Sequence, residues 1–113
     1  MCDANTSNAE TIRNLNDFFR RLFIGGKVML TAGINALSEQ QRRSIIQKVR
    51  SFSDFTEDND PHEEHDFGTI EGGGVRCFWK IEYFSRDMTM GSPDPADDVV
   101  TMRVLTIMLA EEY

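Results

Sequence analysis

The sequence has no apolar run that approaches the ~18 residues needed to span a bilayer. Its first ten residues, MCDANTSNAE, contain neither the basic nor the apolar part of a signal peptide. We therefore expect a cytoplasmic protein without a membrane partner. Cysteine is scarce as well: Cys2 and Cys77 are the two present, and their spacing suggests neither a disulfide framework nor a zinc knuckle. We expect both thiols to be reduced.

Positive charge is missing from Asp54–Phe67, written DFTEDNDPHEEHDF, which contains both histidines and no Lys or Arg. Residues 1–50 hold eight Lys or Arg against four acids, whereas residues 51–113 hold four against fifteen. The acidic charge of residues 51–113 argues against direct nucleic-acid binding and favours a basic partner protein or a cation. The acids of the stretch are Asp54, Glu57, Asp58, Asp60, Glu63, Glu64 and Asp66.

The length of 113 residues and the 40% hydrophobic content are those of a single globular domain. Residues 1–7 are interpreted as a disordered tail. Apolar residues then recur at three- and four-residue spacing, which predicts an amphipathic helix over Asn8–Phe23 that ends at Gly25-Gly26. The segment Lys27–Thr31 is short, apolar and partly β-branched, so it predicts a first strand.

A second helix is predicted after Ser38, which has the capping-box spacing to Gln41, and it runs to about Ser51. Its outer face is basic. Because the acidic stretch follows at once, we expect the loop to fold back over this helix and neutralise it, with a basic binding patch as the alternative. The basic residues concerned are Arg42, Arg43, Lys48 and Arg50.

A hairpin is predicted where Phe67–Glu71 and Val75–Phe84 flank three consecutive glycines, because a tight turn needs residues that tolerate positive φ. Asp87–Met90 is predicted to return as a third antiparallel strand. Successive side chains of the second strand of the hairpin fall on two opposite faces. Its core-facing residues are predicted to be Val75, Cys77, Trp79, Ile81 and Tyr83.

The last segment is predicted to be a buried helix. Asp94 suits its N-cap, Pro95 its first turn, and apolar residues then continue nearly all round to about Glu112. The fold class predicted from these elements is α+β, with an antiparallel sheet of three to four strands packed against three helices.

The acidic stretch also contains candidate metal ligands, because His62, Glu64, His65 and Asp66 offer the nitrogen and oxygen donors that Zn²⁺ or Mn²⁺ accepts. The spacing is HxxH rather than HExxH, and Pro61 disfavours a helix through it. We therefore expect no cofactor, with Zn or Mn as the alternative. A third interpretation is that Asp and Asn side chains in the stretch merely shape the connection from helix to strand.

A hydrolytic site in the same stretch would need His65 as general base, with Glu64 or Asp66 to orient it. Lys80 or Arg86 would stabilise developing negative charge. Ser92 lies in GSPDP rather than GxSxG, and Gly72–Gly74 precedes no helix, so neither nucleophile nor phosphate loop is indicated. An enzyme is therefore the less favoured interpretation.

Several segments together resemble one family: FTEDNDPHEEHDFG, FWKIEYF, GSPDPADD and TMRVLTIMLAEEY, with NLNDFFRR and GGKVMLTAGI before them. They are similar to a family of small bacterial proteins catalogued as domain of unknown function 3768. The resemblance implies a protein of a mostly proteobacterial family, whose members are often found in accessory regions of mobile elements or phages. It implies no activity, cofactor or catalytic residue. Glu63 stands where that family commonly has a small residue such as glycine.

The resemblance and the charge together lead to a hypothesis about function. Small acidic proteins of mobile elements can occupy basic nucleic-acid-binding surfaces, as anti-CRISPR or anti-restriction proteins do, by presenting carboxylates to a basic groove. The leading hypothesis is such a binding protein, acting on a basic host protein. The alternative is a metal-binding protein or metal-assisted hydrolase. The predicted binding surface combines the seven acids of the stretch with Asp94, Asp97 and Asp98.

Overall fold

The computed structural model describes the backbone of residues 4–113 and the side chains of residues 8–113. The chain forms three helices, α1 (Ala4–Leu22), α2 (Ala32–Asn35) and α3 (Glu39–Arg50), and four strands, β1 (Gly26–Leu30), β2 (Phe67–Gly72), β3 (Val75–Phe84) and β4 (Met102–Leu109). Short 3-10 turns lie at Asp98–Val100 and Ala110–Glu112. The fold class is α+β, as predicted.

Helix α1 is longer than the sequence pattern indicated. It begins at Ala4, while residues 1–3 of the predicted tail, including Cys2, lie outside the described residues. It ends at Leu22 rather than at the glycine pair, because Phe23 takes a left-handed conformation (φ 58°) and its N–H donates to the Phe19 carbonyl at 2.7 Å. This is the closing geometry that glycine usually supplies.

The capping box of α3 is confirmed. The Ser38 hydroxyl accepts from the Gln41 N–H, and the Gln41 side chain accepts in return from the Ser38 N–H, each at 3.1 Å. Ile45 and Val49 are the buried residues of this helix. Gln41 also donates to the Gly73 carbonyl at 2.9 Å, so the cap ties α3 to the hairpin turn.

The hairpin is confirmed too. Strands β2 and β3 pair antiparallel from Phe67 opposite Lys80 to Gly72 opposite Val75, and Gly73 and Gly74 take positive φ in the turn. The predicted inward face of β3 is buried at Cys77, Trp79 and Ile81 and half-buried at Val75 and Tyr83.

The predicted C-terminal helix is wrong. Residues 102–109 form β4, the strand that pairs with both β1 and β3. A central strand is buried on both faces, so it reads as a continuous apolar run, and this pattern is hard to separate from that of a buried helix. Asp94 consequently caps no helix. Its carboxylate accepts from the Ala96 N–H at 3.1 Å instead.

The third antiparallel strand predicted at Asp87–Met90 is also wrong, because these residues form a turn that is closed by Ser85 and Met90. The sheet has the order β1-β4-β3-β2. It is mixed rather than purely antiparallel, since β1 runs parallel to β4 while the other two pairings are antiparallel.

The main core lies between the helices and the face of the sheet that carries Trp79. Its buried members come from the three helices, three strands and the connection after α3: Phe19, Ile34, Ile45, Val49, Phe52, Ile70, Cys77, Trp79, Ile81, Leu105 and Ile107. Gly68 faces Trp79 across the hairpin, and a β-carbon there would come within 2.4 Å of the indole nitrogen. The connection from α3 to β2 crosses one end of this core, and it contains the acidic stretch.

Candidate functional site

The first half of the acidic stretch is a compact turn. The Asn59 side chain accepts from the Thr56 N–H at 2.8 Å and donates to the Asp54 carbonyl at 2.9 Å, and the Asp60 N–H donates to the Thr56 carbonyl at 2.8 Å. Asn59 therefore shapes the connection in the way that polar turn residues do. Glu63, at the position where a glycine would be easiest, takes φ 58°.

His65 is the best-fixed residue of the stretch. Its Nδ1 lies 2.8 Å from Asp17 Oδ1 on α1, and its Nε2 lies 3.5 Å from Asp60 Oδ2. The backbone N–H of His65 donates to Asp60 Oδ1 at 3.0 Å, and the imidazole stacks on Phe55 with 3.7 Å between ring centroids. Both ring nitrogens face carboxylates, so this arrangement anchors the loop to α1.

Asp17 also holds Arg20, whose guanidinium is fully buried and lies 3.0 Å from the Asp17 carboxylate. The guanidinium lies over Phe55 and Trp79, at 5.4 and 5.3 Å from their ring centroids. Burial lowers the pKa of Arg20, and Asp17 opposes that shift. An ion pair with two aromatic neighbours therefore ties α1 to the base of the acidic stretch.

A second buried group connects α1 with the sheet. Asn16 donates to the Tyr83 hydroxyl at 2.8 Å and to the Glu64 carbonyl at 2.9 Å, and it accepts from Arg103 Nε at 2.8 Å. Tyr83 in turn donates to the Glu64 carboxylate at 3.0 Å. Burial raises the pKa of Tyr83, so the phenol remains a neutral donor across the physiological range.

Arg103 extends this group toward the second acidic segment. Its Nη2 donates to the Pro95 carbonyl, and its Nη1 lies 3.5 Å from Asp98 Oδ1. The guanidinium also lies 5.3 Å from the centroid of the Tyr83 ring. Asp98 and Glu64 are thus joined through two buried side chains, Arg103 and Asn16, at the end of the sheet where β4 begins.

The ten predicted binding acids divide into two groups. Asp60 is 5% exposed, and Glu64 and Asp66 are half-buried, so these three belong to the interior of the loop. Burial raises the pKa of Asp66, and the charges of Glu64 and Asp60 raise it further. The remaining seven are exposed, and we call them the acidic surface: Asp54, Glu57, Asp58, Glu63, Asp94, Asp97 and Asp98.

The predicted metal ligands do not converge. His62 is exposed, Glu64 bonds to Tyr83, and His65 faces Asp17 and Asp60. Among residues 8–113, no group of three or more His, Cys, Asp or Glu side chains is arranged to hold a metal ion.

The structure does not bring the residues of the predicted hydrolytic site together either. The residues beside His65 are Asp17 and Asp60 rather than Glu64 and Asp66. Lys80 lies 3.6 Å from Glu82, and Arg86 donates to the Thr101 carbonyl at 3.0 Å. An open groove of about 580 Å³ does run beside Phe55, Asp60 and His65, with Arg13 as a cation in its lining.

The expected neutralisation of α3 by the acidic stretch is wrong as well. Arg42 donates to the Asn35 and Leu37 carbonyls, Arg43 pairs with Glu39, and Lys48 donates to the Glu71 carbonyl. Arg50 donates to the Arg21 carbonyl. The stretch packs against α1 instead, where Arg13 lies 3.8 Å from Glu63.

Comparison with known proteins identifies the family. The family model described as Protein of unknown function (DUF3768) matches residues 30–112. The chain belongs to this family. No curated protein and no solved structure matches the DUF3768 chain, so the family carries no activity over to it. Over residues 4–113, no helix is long and apolar enough to cross a membrane.

The sequence did not predict the residues that fix this site in the DUF3768 chain, namely Asn16, Asp17, Arg20, Tyr83 and Arg103. One signal was present for two of them. Asn16 and Arg20 are four residues apart on the same side of α1 as Ile12 and Phe19, so they interrupt an otherwise apolar face. Polar residues on a buried face need partners, and those of Asn16 come from segments more than 45 residues away in the sequence.

Proposed function

We propose that this DUF3768 protein is a non-enzymatic binding protein that presents its acidic surface to a basic partner protein. The observation that carries the proposal is the link from Glu64 through Asn16 and Arg103 to Asp98. This link joins Glu64 of the acidic stretch to Asp98, 34 residues later in the sequence, through two buried side chains, and it supports an acidic surface built from both segments.

The charges at Asp54, Glu57 and Asp58 are available to a partner, whereas Glu63 and Asp98 of the acidic surface are paired with arginines. Asp54, Glu57 and Asp58 are exposed, and among the described residues their carboxylates make no hydrogen bond or ion pair. Uncompensated charges of one sign attract a basic surface over long distances and speed the encounter with it. Because the loop is held by His65 and Asn59, little conformational entropy is lost when a partner binds.

The partner we propose is a basic nucleic-acid-binding surface of a host defence protein. From the family resemblance we infer a protein of mobile elements or phages, whose DNA is the target of restriction and CRISPR nucleases. A carboxylate array can compete with phosphates for the Lys and Arg of such a nuclease. The protein would then act in the cytoplasm as an anti-restriction or anti-CRISPR inhibitor, without a cofactor and without binding nucleic acid itself.

The test is phage plating on bacterial hosts that carry one defined restriction or CRISPR system each. We expect the wild-type protein to restore plating on at least one defended host. The triple variant Asp54→Asn/Glu57→Gln/Asp58→Asn should lose that effect. The matched control is Glu10→Gln/Glu82→Gln/Glu111→Gln, which removes the same charge from exposed positions elsewhere and should retain it.

Two outcomes would overturn parts of the proposal. If the loop variant protects phage as well as the wild-type protein does, the acidic surface is not the binding site. If no defended host is affected by the wild-type protein, the anti-defence role is wrong, and the acidic surface serves a different basic partner.

A further inference from the structure

The outer face of α1 is unusually apolar for a face without a neighbour. Phe18 is 52% exposed and Leu22 is 46% exposed, although the sequence pattern grouped both with the core residues. The face that is buried carries Ile12, Asn16 and Phe19 instead. The exposed pair lies at i and i+4, which places the two side chains side by side on the helix surface.

A groove of about 440 Å³ lies between this face and α3. It is lined by Arg21, Arg43, Ile46, Gln47, Arg50 and Ser51. A second groove, of about 330 Å³, contains Phe18 and Leu22 and shares Arg21 with the first. The two together form a continuous strip with apolar side chains along one part and three guanidinium groups along the other. We call this strip the basic groove.

Among the described residues, no acid lines the 440 Å³ part of this strip, and Asp17 lines the part with Phe18 and Leu22. Arg43 is paired with Glu39 at 2.5 Å, but both side chains are mainly exposed, so the pair is weak. Two contacts fix the side chain of Arg50. Its Nε donates to the Arg21 carbonyl at 2.8 Å, and its guanidinium lies 5.2 Å from the centroid of the Phe23 ring.

From this combination we infer that the basic groove binds an acidic, amphipathic peptide segment of a partner protein. Guanidinium groups bind carboxylates in a two-pronged geometry. The exposed apolar pair suits a helical segment with apolar residues at i and i+3 or i+4 and acids beside them. The groove is separate from the acidic surface, and the inference does not depend on the proposed function.

A nucleic-acid strand fits the groove less well. Single strands bind without sequence preference where aromatic rings stack on the bases along a basic channel. The part that holds the three arginines has no aromatic residue in its lining. A phosphate chain along those arginines would also leave Leu22 uncovered.

The experiment is selection of random 16-residue peptides displayed on phage against the whole purified protein, followed by fluorescence anisotropy with the enriched peptides. We expect enriched sequences with acids interleaved with apolar residues at helical spacing. Arg21→Gln/Arg43→Gln should weaken binding of these peptides by about tenfold or more. Leu22→Ala should weaken it as well, because it removes part of the apolar strip.

Matched controls remove the same groups elsewhere. Lys27→Gln/Arg76→Gln deletes two exposed cations outside the groove, and Met90→Ala shortens a side chain that is 66% exposed. Both should bind the peptides as the wild type does. The inference is overturned if no peptide is enriched, if enriched peptides are basic, or if the groove variants bind them unchanged. Tighter binding of a 20-nucleotide single strand than of any peptide would overturn it too.

Discussion

Arg103 Nε lies 2.8 Å from Asn16 Oδ1, and both side chains are fully or almost fully buried. The two residues are 87 positions apart in the chain. Arg103 lies near the start of the inner strand β4 and Asn16 lies in α1, so this contact fixes the first helix to the sheet. It also sets the distance between the two segments of the acidic surface, because Asn16 holds the Glu64 carbonyl while Arg103 holds Pro95 and Asp98.

Asn16→Ala should lower the free energy of unfolding by about 2–4 kcal/mol. The substitution leaves Arg103 Nε, the Tyr83 hydroxyl and the Glu64 carbonyl without the partner that Asn16 provides. Urea denaturation followed by circular dichroism measures the change. Asn14→Ala is the control, since Asn14 is exposed on the same helix and its loss should change stability by no more than ~0.5 kcal/mol. Equal effects of the two variants would show that the buried network contributes nothing specific.

Asp66→Asn should stabilise the protein at neutral pH, because burial raises the pKa of Asp66 above its ordinary value of 3.8. A carboxyl group with a raised pKa in the folded state stabilises the fold while it is protonated, and that contribution is lost as pH rises through the folded-state pKa. The advantage of the variant should therefore be largest near pH 7 and shrink as pH falls toward 3.8. Thermal melts across this pH range measure it.

Asp87→Asn should change the stability of the fold near pH 7 in the direction opposite to Asp66→Asn. Hydrogen bonds from Ser85 and Thr89 lower the pKa of Asp87. Its carboxylate therefore stabilises the fold above the ordinary pKa, and that contribution is lost on acidification. Asp87→Asn should be destabilising near pH 7, and the difference from wild type should vanish at low pH. If both variants shift stability in the same direction, the burial of Asp66 is not what controls its titration.

Zn²⁺, Mn²⁺, Mg²⁺ and Ca²⁺ should leave the melting temperature of chelator-treated protein within the scatter of replicate melts. Any ion that binds the native state must raise it by mass action, and the four candidate ligands do not converge. A rise with one metal that persists in His62→Ala and disappears in His65→Ala would contradict this prediction. It would favour the metal-binding alternative with His65 as a ligand.

The local elements of the fold could be predicted because their signals are local. The α3 capping box, the glycine turn of the hairpin and the alternation of β3 each depend on residues within a few positions of one another. The strand β4 could not be recognised in the same way. Whether MRVLTIML is a strand or a helix is decided by its neighbours β1 and β3, which bury both of its faces.

In the candidate site, too, local sequence features could be predicted and contacts between distant segments could not. The acidic stretch was visible in composition alone, whereas His65 was predicted as a metal ligand or general base and not as the residue that anchors the loop to α1. The partners of His65 were not predicted, since Asp17 lies 48 positions away and approaches only because α1 packs across the loop. The exposed state of Phe18 and Leu22 has the same origin: the buried polar residues Asn16 and Arg20 set the rotation of α1 and turn that apolar pair outward.

The central claim is that the acidic surface competes with DNA for a basic protein. The most direct test is competition for a nuclease that the plating assay identifies, measured by anisotropy of a labelled DNA duplex bound to that nuclease. We predict that the wild-type protein displaces the duplex, that excess DNA reverses the displacement, and that added salt weakens it. Asp54→Asn/Glu57→Gln/Asp58→Asn should displace far less DNA than the Glu10→Gln/Glu82→Gln/Glu111→Gln control. Displacement by the loop variant at the wild-type concentration would contradict the account.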